Sequence, residues 1–264
     1  MQTVTFPLLG LELPLSKIAF SFGNVDIYWY AIIIVLAIMI AFVILKKQDG
    51  LYGISFSTIL EMSLWVIPIA FVGARVYYIV FQWDYYMQYP MEIWNVRNGG
   101  LAIYGGIIAG TWAIYGYGRK KKIKVLDMLD YIAPCLALAQ AIGRWANFMN
   151  VEAYGEMTNL PWRMGILQNG EIQYVHPTFL YESISCFLLF LWLLHVQKKR
   201  SYPGNVTCWY LTGYAFIRML IEGIRIDSLM FYHFRISQLF SFLLFVVFSG
   251  VLLAFRNKCR KKEK

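Results

Sequence analysis

Ile132 to Ile142 is an apolar run, and it passes without a break into Gly143-Arg144-Trp145-Ala146-Asn147-Phe148-Met149-Asn150-Val151-Glu152-Ala153-Tyr154-Gly155. Arg144, Asn147, Asn150 and Glu152 therefore arrive where a membrane helix should be leaving hydrocarbon. A polar group at that depth needs a partner or a polar cavity. Four within nine residues are too many to be strays, so this stretch marks both a membrane span and a candidate site.

The rest of the chain fits that beginning. Of its 264 residues 59% are hydrophobic and 18% aromatic, well above an ordinary soluble domain. Apolar runs of spanning length, roughly 17–25 residues, fall at 28–45, 57–81, 99–117, 128–147, 177–196, 205–223 and 236–255. The expected fold is all-α: a polytopic membrane protein of seven transmembrane helices. No linker or clean repeat divides it, so residues 1–264 read as a single integral-membrane domain. The first span runs straight into Lys46-Lys47 with no small-residue cleavage site, so it reads as retained and not as a signal peptide.

The net charge of +9 raises the question of nucleic acid, but the basic residues are not spread over a face. They cluster between spans, at Lys46/Lys47, Arg119/Lys120/Lys121/Lys122/Lys124, Lys198/Lys199/Arg200 and from Arg256 to Lys264. All four clusters fall on one side, which by the positive-inside rule puts the N-terminus outside and the C-terminus in the cytoplasm. Nucleic acid is not an expected partner. The opposite segments carry only Lys17, Arg97, Arg163, Arg225 and Arg235. These outer connections, 82–98, 148–176 and 224–235, are long and rich in Trp and Tyr, as suits the headgroup level. Residues 1–27, with Phe6, Leu8, Leu9, Leu11, Leu13 and Leu15, are expected to lie on the outer leaflet as an amphipathic segment.

Cys135, Cys186, Cys208 and Cys259 imply no disulfide framework, and His176, His195 and His233 are too scattered for a zinc or haem site. Neither metal nor cofactor is expected. Arg218, Glu222 and Arg225 are spaced i, i+4, i+7, which puts them on one helix face. If that face meets the one carrying Arg144, two guanidiniums share an outer cavity suited to a phosphodiester. The bland alternative is a pair of structural ion pairs, Arg144 with Glu152 and Arg218 with Glu222. Glu61 and Arg75 are expected to pair with each other or with the central cluster, more as structure than as site. Gly99, Gly100, Gly105, Gly106 and Gly110 point to close helix packing. His176, before Pro177 and Thr178, is read equally as a helix-start signal or as a site residue. Asp127 and Asp130 read as first-turn residues complementing a helix dipole.

Residues Gly143–Gly155 match the signature G-R-x-G/A-N-F-x-N-x-E-x-x-G at every fixed position, and in this the chain resembles the bacterial prolipoprotein diacylglyceryl transferases. The likeness extends to Tyr28-Trp29-Tyr30, Gly99–Gly106, His176–Glu182 and Arg218–Arg225. It implies transfer of the sn-1,2-diacylglyceryl group of phosphatidylglycerol to the lipobox cysteine of a prolipoprotein signal peptide, with glycerol 1-phosphate released, in the bacterial cytoplasmic membrane. Arg144, Arg218, Tyr104 and Glu152 become the catalytic candidates. Arg144 also joins the substrate-binding ones, with Asn147, Asn150, Gly155, Tyr30, Glu222, Arg225 and His176. Many members carry His at the position of Tyr104, and here a phenol replaces it, able to donate a hydrogen bond or orient a thiol. A transporter for an anionic solute and another phospholipid-dependent transferase are the competing readings; the first should show two similar halves, the second an aspartate-rich metal motif.

Overall fold

The structure is a computed structural model. It describes the chain apart from Met1, Asn24, Arg97, Asn98, Asn169, residues 227–229, His233 and residues 263–264, and apart from the side chains of Phe231, Phe234 and residues 256–262. Arg97 and His233 thus lie outside the described residues, as do the side chains of Cys259 and the C-terminal basic cluster.

Most of the chain is helical. After four short strands come α1 (Trp29–Lys47), α2 (Phe56–Phe81), the short α3 (Trp83–Gln88), α4 (Ile103–Lys121), α5 (Val125–Asn150), α6 (Thr178–Lys198), α7 (Asn205–Glu222) and α8 (Ile236–Lys262). Five of these, α1, α2, α5, α6 and α8, are long and apolar enough to cross a membrane. Their apolar side chains face outward: Val35, Leu36, Met39, Ile40 and Val43 of α1 are exposed, and that helix buries only Ala37 and Leu45. This inverts the soluble pattern and is what a lipid solvent requires. The protein is a polytopic membrane protein. Helices α4 and α7 match the others in length but are less apolar, because α4 is rich in glycine and ends on Arg119-Lys120-Lys121, while α7 carries Tyr210, Tyr214, Arg218 and Glu222.

The all-α expectation needs correction, since the described residues also form one four-stranded and two two-stranded sheets. The N-terminal segment expected on the outer leaflet is made of strands, in two hairpins, β1 (Gln2–Phe6) with β2 (Leu11–Leu15), and β3 (Ile18–Phe22) with β4 (Val25–Tyr28). The reason is a period of two instead of 3.6: alternate residues Val4, Leu13 and Leu15 turn to one face, and the turn at Pro7–Gly10 has a left-handed glycine at its end. The segment 148–176 supplies β5 (Met164–Gln168) and β6 (Glu171–Val175), giving the order β2-β1-β5-β6 with Val4 opposite Ile166. Val4, Leu15, Met164, Ile166 and Val175 form a core with Phe148 of α5 and Phe179 of α6. Apolar residues that read as lipid-facing are in part the core of this small sheet. In 224–235, β7 (Met230–Phe231) pairs with β8 (Phe234–Arg235).

The chain divides into two compact units, residues 46–129 and residues 1–45 with 130–264. In the first, α2 and α4 pack through small residues. A Cβ on Gly105 would strike the Gly73 carbonyl and Tyr77, and one on Gly73 would strike Ala109. Arg75 does not pair with Glu61. Its guanidinium donates to the carbonyls of Glu92, Ile93, Asn95, Gly99 and Gly100 at 2.7–3.1 Å, so it clasps the loop before α4. Gly99 and Gly100 take left-handed φ of 91° and 79°, a conformation glycine adopts freely. Glu61 instead meets Lys121 across α2 and α4 at 2.9 Å.

In the second unit α5, α6 and α7 share a core of Ala133, Ala137, Leu138, Leu189, Phe190, Leu193, Val196 and Val206. Asp130, fully buried, stands at the end of this bundle where α5 begins. It does not serve the dipole of its own helix. One oxygen accepts from Arg200 Nε and the Gly204 amide, the other from the Thr207 amide and hydroxyl, all at 2.7–2.8 Å. Gly204 caps α7, so the carboxylate complements the start of α7 and ties it to α5. Asp127 does sit in the first turn of α5.

Candidate active site

The other end of the same three helices holds the charged side chains singled out by the sequence. Arg144, Asn147 and Asn150 occupy the last two turns of α5 at i, i+3 and i+6, on one face. Beyond Asn150 the chain reverses through left-handed Val151 and Ala153. That turn brings Glu152 back over the helix end, where its Oε1 accepts from Asn147 Nδ2 at 2.8 Å and Asn150 Nδ2 at 3.2 Å. The pairing of Arg144 with Glu152 is therefore replaced by a hydrogen-bonded link through Asn147, whose Oδ1 accepts from Arg144 Nη1 at 3.1 Å.

Arg144 finds its carboxylate on α6. Its Nη2 lies 2.5 Å from Oε1 of Glu182, and Arg218 Nη1 of α7 lies 3.4 Å from Oε2 of the same residue. The other Arg218 nitrogen, Nη2, lies 2.6 Å from Glu222 Oε2, the expected i, i+4 pair. Tyr214, one turn before Arg218, donates to Glu182 Oε1 at 3.4 Å. Three helices thus deliver two arginines to one shared carboxylate. The side chains of Glu182 and Glu222 are 2–3% exposed and those of Arg144 and Arg218 19–20%, so the arginines are the more accessible members of the cluster and the carboxylates the buried ones. Two positive and two negative charges cancel within the cluster.

A frame of backbone contacts holds this end together. The Gly155 amide donates to the His176 carbonyl, the Glu156 amide to the Ile224 carbonyl, and Gly155 forms a bridge with Arg225. A Cβ at Gly155 would lie 2.7 Å from His176 Cβ and 2.9 Å from the Ile224 oxygen, well inside van der Waals contact, so the last glycine of the signature is needed for space. Thr178 caps the reversal by donating to the Ala153 carbonyl. Arg235, just before α8, reaches the Glu222 carbonyl and lies 2.7 Å from Glu156. His176 stands beside this frame with its Nδ1 3.3 Å from the Tyr181 hydroxyl, which also accepts from Trp162. Tyr30 is exposed in the first turn of α1. Tyr104 is exposed in the first turn of α4, in the unit of residues 46–129.

The sequence marks Glu182 as an acidic residue inside the fifth apolar run, at the end of the stretch His176–Glu182, but gives it no role at the site. Tyr214 and Arg235 are not among the candidates, although Tyr214 continues the four-residue spacing of Arg218 and Glu222. Cys135, Cys186 and Cys208 are free thiols, and among the described residues no group of three or more His, Cys, Asp or Glu is placed to hold a metal ion.

Fold and cluster define a polytopic membrane protein with a paired-arginine site at one end of a helix bundle. Residues 17–254 match the family model for prolipoprotein diacylglyceryl transferase. Curated relatives named phosphatidylglycerol–prolipoprotein diacylglyceryl transferase include those of Finegoldia magna, 46% identical over 92% of this chain and 96% of the relative, and Clostridioides difficile, 42% identical over 95% and 100%. That of Enterococcus faecalis is 41% identical over 94% and 96%. The chain belongs to the prolipoprotein diacylglyceryl transferase family, a family of enzymes.

Proposed function

We propose that this protein transfers the sn-1,2-diacylglyceryl group of phosphatidylglycerol to the lipobox cysteine thiol of a prolipoprotein, forming a thioether and releasing glycerol 1-phosphate. The observation that carries the reading is the meeting of Arg144 and Arg218, from α5 and α7, on Glu182. In the reaction the sulfur–carbon bond forms at the glyceryl carbon and the carbon–oxygen bond breaks. The electron pair goes to the phosphate oxygen, so a singly charged diester becomes a more highly charged monoester. Paired guanidiniums bind that developing charge better than the substrate.

A thiol attacks as thiolate, so its proton needs an acceptor. Glu152 is the proposed one; it is exposed, and Asn147 and Asn150 orient it from one side. Asn150, Gly155, Tyr30, Glu222, Arg225 and His176 are proposed to shape the substrate site around the arginines. The substrates are then phosphatidylglycerol and the lipobox-bearing signal peptide.

We read the whole chain as one integral domain of the bacterial cytoplasmic membrane, crossing it seven times with the N-terminus outside. Helices α4 and α7, at 19 and 18 residues, rise roughly 27–28 Å at about 1.5 Å per residue, close to a hydrocarbon core. Two backbone pairings favour their crossing. Strands β1 and β5 are hydrogen-bonded neighbours separated by α1, α2, α4 and α5, and Gly155 pairs with Arg225 across α6 and α7. Segments that pair lie on one side of a bilayer, so an even number of crossings separates them. Within α6, Glu182 and Lys198 stand at opposite ends, consistent with an outer site and an inner basic end.

The test is thin-layer analysis after mixing the purified protein with phosphatidylglycerol labelled in its diacylglyceryl part and a lipobox peptide. Label should move to the peptide, and a Cys→Ser peptide should stay unlabelled. Folded protein that labels neither peptide would remove the proposal.

A further inference from the structure

We propose that Glu182 is a built-in competitor for the substrate phosphate: a positioning residue that spaces the two guanidiniums as a bridging anion would, and gives up Arg218 when the headgroup arrives. This rests on the reading of Arg144 and Arg218 as the phosphate clamp.

The geometry is that of one anion shared by two cations. Oxygen Oε1 meets Arg144 and oxygen Oε2 meets Arg218, one oxygen to each fork, as the two non-ester oxygens of a phosphodiester would. The two links are unequal. At 2.5 Å the Arg144 link is tight, whereas the 3.4 Å link to Arg218 is longer than the about 2.7–2.9 Å of a good charge-assisted bond. Arg218 keeps a second partner in Glu222 at 2.6 Å, so it does not become unpaired on leaving Glu182. The long link is the one an incoming anion can replace at least cost.

Burial sets the order of events. The carboxylate is nearly inaccessible and the arginines are less so, so an arriving phosphate meets nitrogen before it meets Glu182. With the cluster neutral, that phosphate gains most by drawing Arg218 away from Glu182. Pre-spacing the forks spares their reorganisation in the reaction step. The same competition acts on the product: the leaving monoester carries more charge than the substrate, and Glu182 reclaiming Arg218 speeds its departure, a step that often limits turnover.

The experiment measures inhibition of the transfer reaction by inorganic phosphate and by glycerol 1-phosphate, for the wild-type protein, Glu182→Gln and Glu182→Asp in the same vesicles. Glu182→Gln keeps the side-chain length but removes the charge and presents an amide N–H to Arg218. Its inhibition constant for either probe should fall about tenfold, as expected when one close opposing charge is lost. The KM for phosphatidylglycerol should fall with it, and kcat should fall as product is retained. Glu182→Asp, too short to span both forks, should move the same way by less. Should Glu182→Gln be too inactive to titrate, the rise in unfolding temperature caused by inorganic phosphate reads the same affinity and should be larger than in the wild type. Unchanged or weaker phosphate binding in both variants, with only a loss of yield or melting temperature, would make Glu182 a packing residue and overturn the proposal. A wild-type protein that fails to label the peptide would instead remove the reading beneath it.

Discussion

Asp130 and Glu182 stand at opposite ends of one three-helix bundle, each a buried carboxylate beside arginine, and they are used in opposite ways. Asp130 takes hydrogen bonds from four donors at 2.7–2.8 Å, three of them backbone or side-chain groups of the turn that starts α7. Its arginine is 12% exposed in the side chain, and no acceptor position is left over. Glu182 is stretched between two arginines, tight on one and long on the other, and both arginines are partly accessible. A carboxylate saturated by its own neighbourhood fixes structure. One shared by cations that still have donors to give marks a place where another anion can enter.

Breaking the saturated end should cost stability first. Asp130→Ala removes the acceptor of Arg200 Nε and of the Gly204 and Thr207 amides, and removing one partner of a buried pair typically destabilises by about 3–5 kcal/mol. Thermal unfolding in detergent should show a large drop, while whatever folds keeps a near-normal KM for phosphatidylglycerol. Arg144→Ala and Arg218→Ala should reverse that pattern. Transfer to the lipobox peptide should fall by about 10²–10³-fold, the usual loss for one donor to a developing oxyanion, with a smaller change in melting temperature than Asp130→Ala produces. Gly155→Ala comes next. Its Cβ has no room between His176 and Ile224, so overpacking of about 1–3 kcal/mol should appear as lower stability and as lower activity together. The smallest change belongs to Glu61→Gln. The Lys121 pair is largely exposed on both sides, and exposed pairs contribute little, so melting temperature and transfer rate should both stay within error of the wild type.

The contrast also explains what could be read from the sequence. The five helices long and apolar enough to cross a membrane, their outward apolar faces and the spacing of Arg218 and Glu222 all follow from local pattern, because hydropathy and the four-residue repeat are properties of one segment. The partner of Arg144 is not. Glu152 is near in sequence, yet the reversal after Asn150 hands it to two asparagines, and Glu182 comes from another helix. Arg75 was still less legible, since its five acceptors are backbone carbonyls, which carry no residue identity. Asp130 misled for a related reason: it lies near the start of α5 but caps α7. The N-terminal strands were hidden by composition. In a chain this apolar, Val4 and Leu15 look like lipid contacts until Ile166 and Val175 are seen to face them.

The placement of β1 has a consequence for how the chain is made. It is made before α1 and every later helix, yet it is an interior strand of its sheet, with β2 on one flank and β5 on the other. Until the ribosome has passed Ile166 the second flank is bare, and a two-stranded hairpin alone is marginal in water. The β1–β2 hairpin must therefore wait, with an open strand edge of the kind that invites wrong partners, while the intervening helices are made.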